Sequence, residues 1–78
     1  MEIRITSQPG IFGGKPIVRG LRISVEMVLD LLSQGMTPEE ILTEYPLLEK
    51  EDIAACLRHA KAVVASEETE IVLTGEGS

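Results

Sequence analysis

Thr37-Pro38-Glu39-Glu40-Ile41-Leu42-Thr43-Glu44-Tyr45-Pro46-Leu47-Leu48-Glu49-Lys50-Glu51-Asp52-Ile53 holds two helix starts and one helix stop. Thr37 is placed to cap a helix, Pro38 falls at the first helical position, and Glu40 can reach back to complete a capping box. The helix so begun carries Ile41, Leu42 and Tyr45 and must end before Pro46, whose ring disfavours a helical residue ahead of it. A second start follows near Lys50. Glu49 is a mediocre cap, but Leu48 and Ile53 stand in the relation of a hydrophobic staple and Asp52 occupies the third position of the first turn.

Working outward, Ile53, Cys56, Leu57, Ala60, Val63 and Val64 give about three turns of apolar stripe, and the periodicity is lost beyond Ser66. Upstream, Ser24 reads as the cap of an earlier helix, with Glu26 in its first turn. Val25, Val28, Leu29 and Leu32 recur on one face, and Gly35 supplies the left-handed stop. Three helices with two short connections predict a mainly α, helix-turn-helix domain.

The chain ahead of Ser24 is different in kind. Ile3 and Ile5 alternate with Arg4 and Thr6, which suits a short strand before the Pro9-Gly10 turn. Gly13-Gly14-Lys15-Pro16-Ile17-Val18-Arg19-Gly20-Leu21-Arg22-Ile23 then packs three glycines, one proline and three cations between apolar segments. That composition suits tight turns around short extended pieces, expected at Ile17 to Arg19 and near Arg22 and Ile23. A P-loop is disfavoured: its first glycine falls at Pro9, and its magnesium-holding hydroxyl residue is Pro16, which also lacks the N–H that a phosphate needs.

The chain has 78 residues and a net charge of −6, and its charge is polarised. Arg4, Lys15, Arg19 and Arg22 face one acid up to Ser24; Lys50, Arg58 and Lys61 face twelve acids after it. Phe12 and Tyr45 are the only aromatic residues, so the core must be aliphatic. At this size a single core is marginal and association is a common remedy. A homodimer is expected, with an interface on the N-terminal extended segments and the third helix. The lone Cys56 excludes an internal disulfide and fits a reduced, cytoplasmic setting. No membrane span is expected, because no run approaches the ~18 apolar residues that one requires. The expected organisation is one domain over residues 1–66 and an acidic tail over 67–78. In that tail Ile71-Val72-Leu73 reads as a frayed end, or less favourably as an edge strand.

The glycine-rich segment, then a helix, then Gly35-Met36-Thr37-Pro38-Glu39-Glu40-Ile41 and Tyr45-Pro46-Leu47-Leu48, resembles the bacterial family called domain of unknown function 433. The resemblance runs from about Ile5 to Ala62. Its structural motif rests on Gly13, Gly14, Pro16, Gly20, Thr37 and Glu40. The resemblance implies a homeodomain-like, winged or β-extended helix-turn-helix protein. It further implies an antitoxin of a toxin–antitoxin pair, partnered with a small PIN-like ribonuclease toxin and repressing its own operon. The family commonly has a threonine at Leu21 and a cysteine at Phe12.

DNA binding meets an electrostatic objection, because phosphate contacts need cations and the helix that would enter the groove begins Glu49-Lys50-Glu51-Asp52. A basic arm of Lys15, Arg19 and Arg22, doubled by a two-fold dimer, avoids that conflict and is the expected nucleic-acid contact. An equally weighted alternative pairs Arg19 and Arg22 with acids of the third helix or of a second subunit. Catalysis finds little support. Cys56 and His59 lie one turn apart, but two ligands make no structural zinc site, and a buried thiol with an exposed histidine is the better reading. Glu39, Glu40 and Glu44 are explained by capping and a solvated face. A non-enzyme without catalytic residues, cofactor or metal is expected.

Overall fold

In the computed structural model, residues 3–73 are described, with side chains through Glu67. Two strands, β1 (Ile5–Thr6) and β2 (Ile17–Val18), precede three helices, α1 (Val25–Ser33), α2 (Pro38–Glu44) and α3 (Lys50–Leu73). The strands pair antiparallel, Ile5 against Val18 and Thr6 against Ile17. The protein is thus mainly helical, a three-helix unit preceded by β segments.

Local chemistry accounts for each helix end. Ser24 Oγ accepts from the Met27 N–H at 3.0 Å, satisfying a donor that the first turn leaves unpaired. At α2 both halves of the capping box form: Thr37 Oγ1 accepts from the Glu40 N–H at 3.2 Å, and Glu40 Oε1 from the Thr37 N–H at 2.8 Å. Gly35 follows α1 with φ +95°, a conformation that costs a side-chain-bearing residue and leaves glycine at ease. Tyr45 closes α2 ahead of Pro46, and Leu48 and Ile53 are both buried at the start of α3.

The glycine-rich segment is a compact connector. Phe12, Gly13 and Gly14 all have positive φ in a 3-10 turn closed by the Gly14 and Lys15 N–H groups. Arg19 and Gly20 (φ +46° and +76°) then form a tight reversal in which the Leu21 N–H donates to Val18 O at 2.7 Å. Positive φ at both central positions is the geometry of the hairpin turns that match strand twist. The expected extended piece near Arg22 and Ile23 does not form a strand. With the chain reversing at Arg19-Gly20, pairing is limited to a single bridge between Ile17 and Ser24, flanked by Val18 N–H to Ile23 O and Val25 N–H to Pro16 O.

Val18, Ile23, Val25, Val28, Ile41, Leu48, Ile53 and Cys56 make the core, drawing on the hairpin and on every helix. Helix α3 departs from expectation at its far end. It runs unbroken through Ser66 to Leu73, so the helix does not end at the expected boundary with the tail, and the backbone at Ile71-Val72-Leu73 is helical rather than a strand. Ala62, Ala65, Glu67, Glu68 and Glu70 are strong helix formers, which sustain a helix where no apolar stripe demands one. The rest of the tail lies outside the described residues.

Urea titration should separate the cap from the core. Thr37→Ala is expected to cost about 1 kcal/mol, and Ile53→Ala, at a buried position, roughly 2–5 kcal/mol.

Candidate functional site

Asp52 is a charged residue with no exposed surface, and its carboxylate is the point on which the N-terminal half converges. Its Oδ1 accepts from Arg19 Nε at 2.9 Å and from Arg4 Nη1 at 2.8 Å. Its Oδ2 accepts from Arg19 Nη2 and from the Glu49 N–H, each at 2.8 Å. Arg19 therefore grips the carboxylate with two parallel bonds, the strong fork geometry of guanidinium and carboxylate. Its Nη2 also donates to Leu47 O at 2.9 Å, while Arg4 Nη1 reaches Glu49 Oε1 at 2.8 Å.

The sequence builds this cluster from four local pieces. Arg4 stands immediately ahead of β1; the Arg19-Gly20 reversal holds Arg19 at its corner; the turn after α2 offers the Leu47 carbonyl; and Asp52 sits one turn into α3, where it also caps Glu49. The Arg19 N–H donates to Arg4 O at 2.8 Å, so the backbone pairs the two arginines as well. Burial alone would push the Asp52 carboxyl up, but the bonds from Arg19, from the Glu49 N–H and from Arg4 outweigh it and hold the group at about 2. The same bond to Asp52 raises the Arg19 guanidinium further above its usual value. One turn along, burial foremost and then the Asp52 charge push the Cys56 thiol up to about 11. Cys56 is thereby an inert, protonated core group.

The three cations expected to act together are placed apart in role. Arg19 is bonded to α3, as the alternative reading of it had allowed. Lys15 lies 3.0 Å from Glu26 in a pair that is mostly solvated on both sides, an arrangement worth little. Arg22 is exposed. Gly13, Gly14, Pro16 and Gly20 shape the connector, and Thr37 with Glu40 forms the α2 cap. Cys56 is buried and His59 half-buried. Among the described residues no group of three or more His, Cys, Asp or Glu side chains is arranged to hold a metal ion. No helix among them is long and apolar enough to cross a membrane. Asp52 is the residue that sequence reasoning undervalued. Its signal was the third helical position after a poor cap, but its two arginine partners lie 33 and 48 residues away.

Two surfaces flank α3. An open groove of about 700 Å³ runs between β1 and α3, lined by Ile3, Arg4, Ile5, Glu51, Ala54, Ala55, Arg58 and His59. The outer half of α3 exposes Leu57, Val63 and Val64, each about half accessible.

A capped three-helix unit behind a glycine-rich β connector is the class that this geometry defines. The model of the family described as protein of unknown function (DUF433) matches residues 5–60, and the chain belongs to that family. The uncharacterized protein y4eO of Sinorhizobium fredii is 38% identical over 58 residues, which are 74% of this chain and 26% of that protein. The chain thus spans about a quarter of that curated relative. The crystal structure of a DUF433 member from Anabaena variabilis aligns with a TM-score of 0.75 and 30% identity, over 88% of this chain and 68% of the other.

The cluster generates two expectations. Asp52→Ala or Arg19→Ala should each cost about 1.5–3 kcal/mol, because each removes charge-assisted bonds at a buried carboxylate while Arg4, the Glu49 N–H or solvent still meets part of what is left, whereas exposed Arg22→Ala should stay within about 0.5 kcal/mol. Unfolded, Asp52 takes its proton near the ordinary 3.8; folded, only near 2. Its contribution, roughly 2 kcal/mol, is therefore fully present above about pH 4 and is lost as the pH falls toward 2. Chemical denaturation across that window should show the loss in the parent and its absence in Asp52→Asn.

Proposed function

We propose that this chain is a non-catalytic binding subunit of antitoxin type. It holds a small PIN-like ribonuclease through protein–protein contact, and operator DNA is a secondary partner. The observation that carries the preference for protein over DNA is the fate of the basic front. Arg4 and Arg19 are bonded to Asp52, which leaves Arg22 and Lys15, the latter beside Glu26, as the outward cations ahead of α1 among the described residues. Affinity for nucleic acid scales with the number of phosphates neutralised, and the start of α3 is acidic. Autoregulation through DNA therefore falls to Arg22 and Lys15 of an assembled complex rather than to the isolated chain.

Apolar surface, in contrast, is open. The groove beside β1 offers Ile3, Ile5 and Ala54 above buried Ala55, and Ile3 is the most exposed large apolar residue among those described. Such a patch with a polar edge fits protein association better than it fits a small polar substrate. A second reading, a dimerisation module without a nucleic-acid role, is favoured by the exposed apolar stripe of α3.

The test is co-expression with the product of a neighbouring nuclease reading frame. The two are expected to co-purify, and RNA cleavage by the nuclease should be suppressed. Ile3→Asp with Ala54→Arg should weaken the complex at least about tenfold while leaving helical content unchanged. Absence of any complex, together with saturable operator binding by this chain alone that Arg22→Ala abolishes, would overturn the reading.

A further inference from the structure

The exposed apolar residues of α3 are not scattered. Leu57, Val63 and Val64 share one helix with half-buried Ala60, on the half of α3 that runs beyond the last core residue, Cys56. Pro16 and Leu29 continue the surface beside Ala60, Val63 and Val64 with buried Val25 beneath, so that helix and body form a shallow apolar groove of about 310 Å³. Single exposed apolar side chains need no explanation, whereas a stripe that continues along a helix does. The helix persists to Leu73, giving a projecting segment of about 25 Å from Leu57 onward.

We infer that this segment pairs with the same segment of a second copy, antiparallel, across a two-fold axis near Val64. The order of charges selects both occupant and direction. Arg58 and Lys61 precede Val64 and Glu67 follows it, with Glu68 and Glu70 next in the sequence. A parallel pair would set cations against cations and acids against acids. An antiparallel pair sets the basic stretch of each copy against the acidic stretch of the other, and the two-fold repeats the match. Leu57 and Val64 lie seven residues apart, and so does Ile71 beyond them in sequence. That interval keeps one helix face toward a partner helix. A seam one helix wide and about 25 Å long sits at the small end of specific interfaces, where weak, transient association is common. The contact goes beyond the nuclease reading and stands without it, because the groove beside β1 lies on another side of α3.

Sedimentation of the full chain across micromolar concentrations should show a reversible dimer. Val64→Glu should make it monomeric with an unchanged helical spectrum, as expected for a substitution at an exposed site. Lys61→Glu and Glu67→Lys should each weaken association by roughly tenfold, and the double reversal should restore it. Val64→Cys, at the axis, should form an intermolecular disulfide on mild oxidation, while Leu57→Cys, far from it, should not. A parent that stays monomeric, a dimer indifferent to Val64→Glu, or equal cross-linking at both positions would overturn the inference. Failure of the charge reversal to rescue would overturn the antiparallel order.

Discussion

The buried carboxylate of Asp52 is the constraint on which the rest of the structure depends. A small domain with two aromatic residues has little apolar area with which to fix a strand of two residues and a loop rich in glycine. Four hydrogen bonds on one carboxylate do that work: they fix β1 through Arg4, the hairpin through Arg19, and the first turn of α3 through Glu49. A desolvated charge is costly in isolation and tolerable when every lone pair is met by a cation or an N–H. The cluster therefore specifies one arrangement of the front of the chain against α3, since any other deprives Asp52 of its two guanidinium partners.

That arrangement changes the meaning of the charge pattern. In sequence the basic front and the acidic body read as two surfaces, one of them suited to phosphate. Folding brings them together and neutralises part of each inside the molecule. What remains outside is a modest set of cations, an acidic helix start, and two apolar surfaces on different sides of α3. Protein association is the use that such an exterior supports best.

The exposed half of α3 follows from the same economy of core. Ile53 and Cys56 complete the packing of α3 against the two shorter helices, and α3 then continues because its residues favour helix, not because the body requires it. Helix propensity extends the element past the core, and apolar side chains are carried outward with it.

Local chemistry was legible in the residues themselves. Ser24 and Gly35 bound α1, Thr37, Pro38 and Glu40 start α2, Pro46 ends it, and Leu48 with Ile53 marks the start of α3, because caps and staples act within one turn of chain. Spacing also marked the core positions of α1 and, on α3, Ile53 and Cys56; the rest of the α3 stripe, Leu57, Val63 and Val64, stays about half exposed because the body ends before it. The end of α3 was not, since the loss of an apolar stripe says nothing about alanine and glutamate, which hold a helix without one. Tertiary structure alone decided the partners of Arg4 and Arg19, and with them the candidate site. Sequence supplies the charges and, at Arg19-Gly20, a reversal, but which acid a guanidinium meets depends on distances across 33 and 48 residues that exist only once the hairpin has closed onto the first turn of α3.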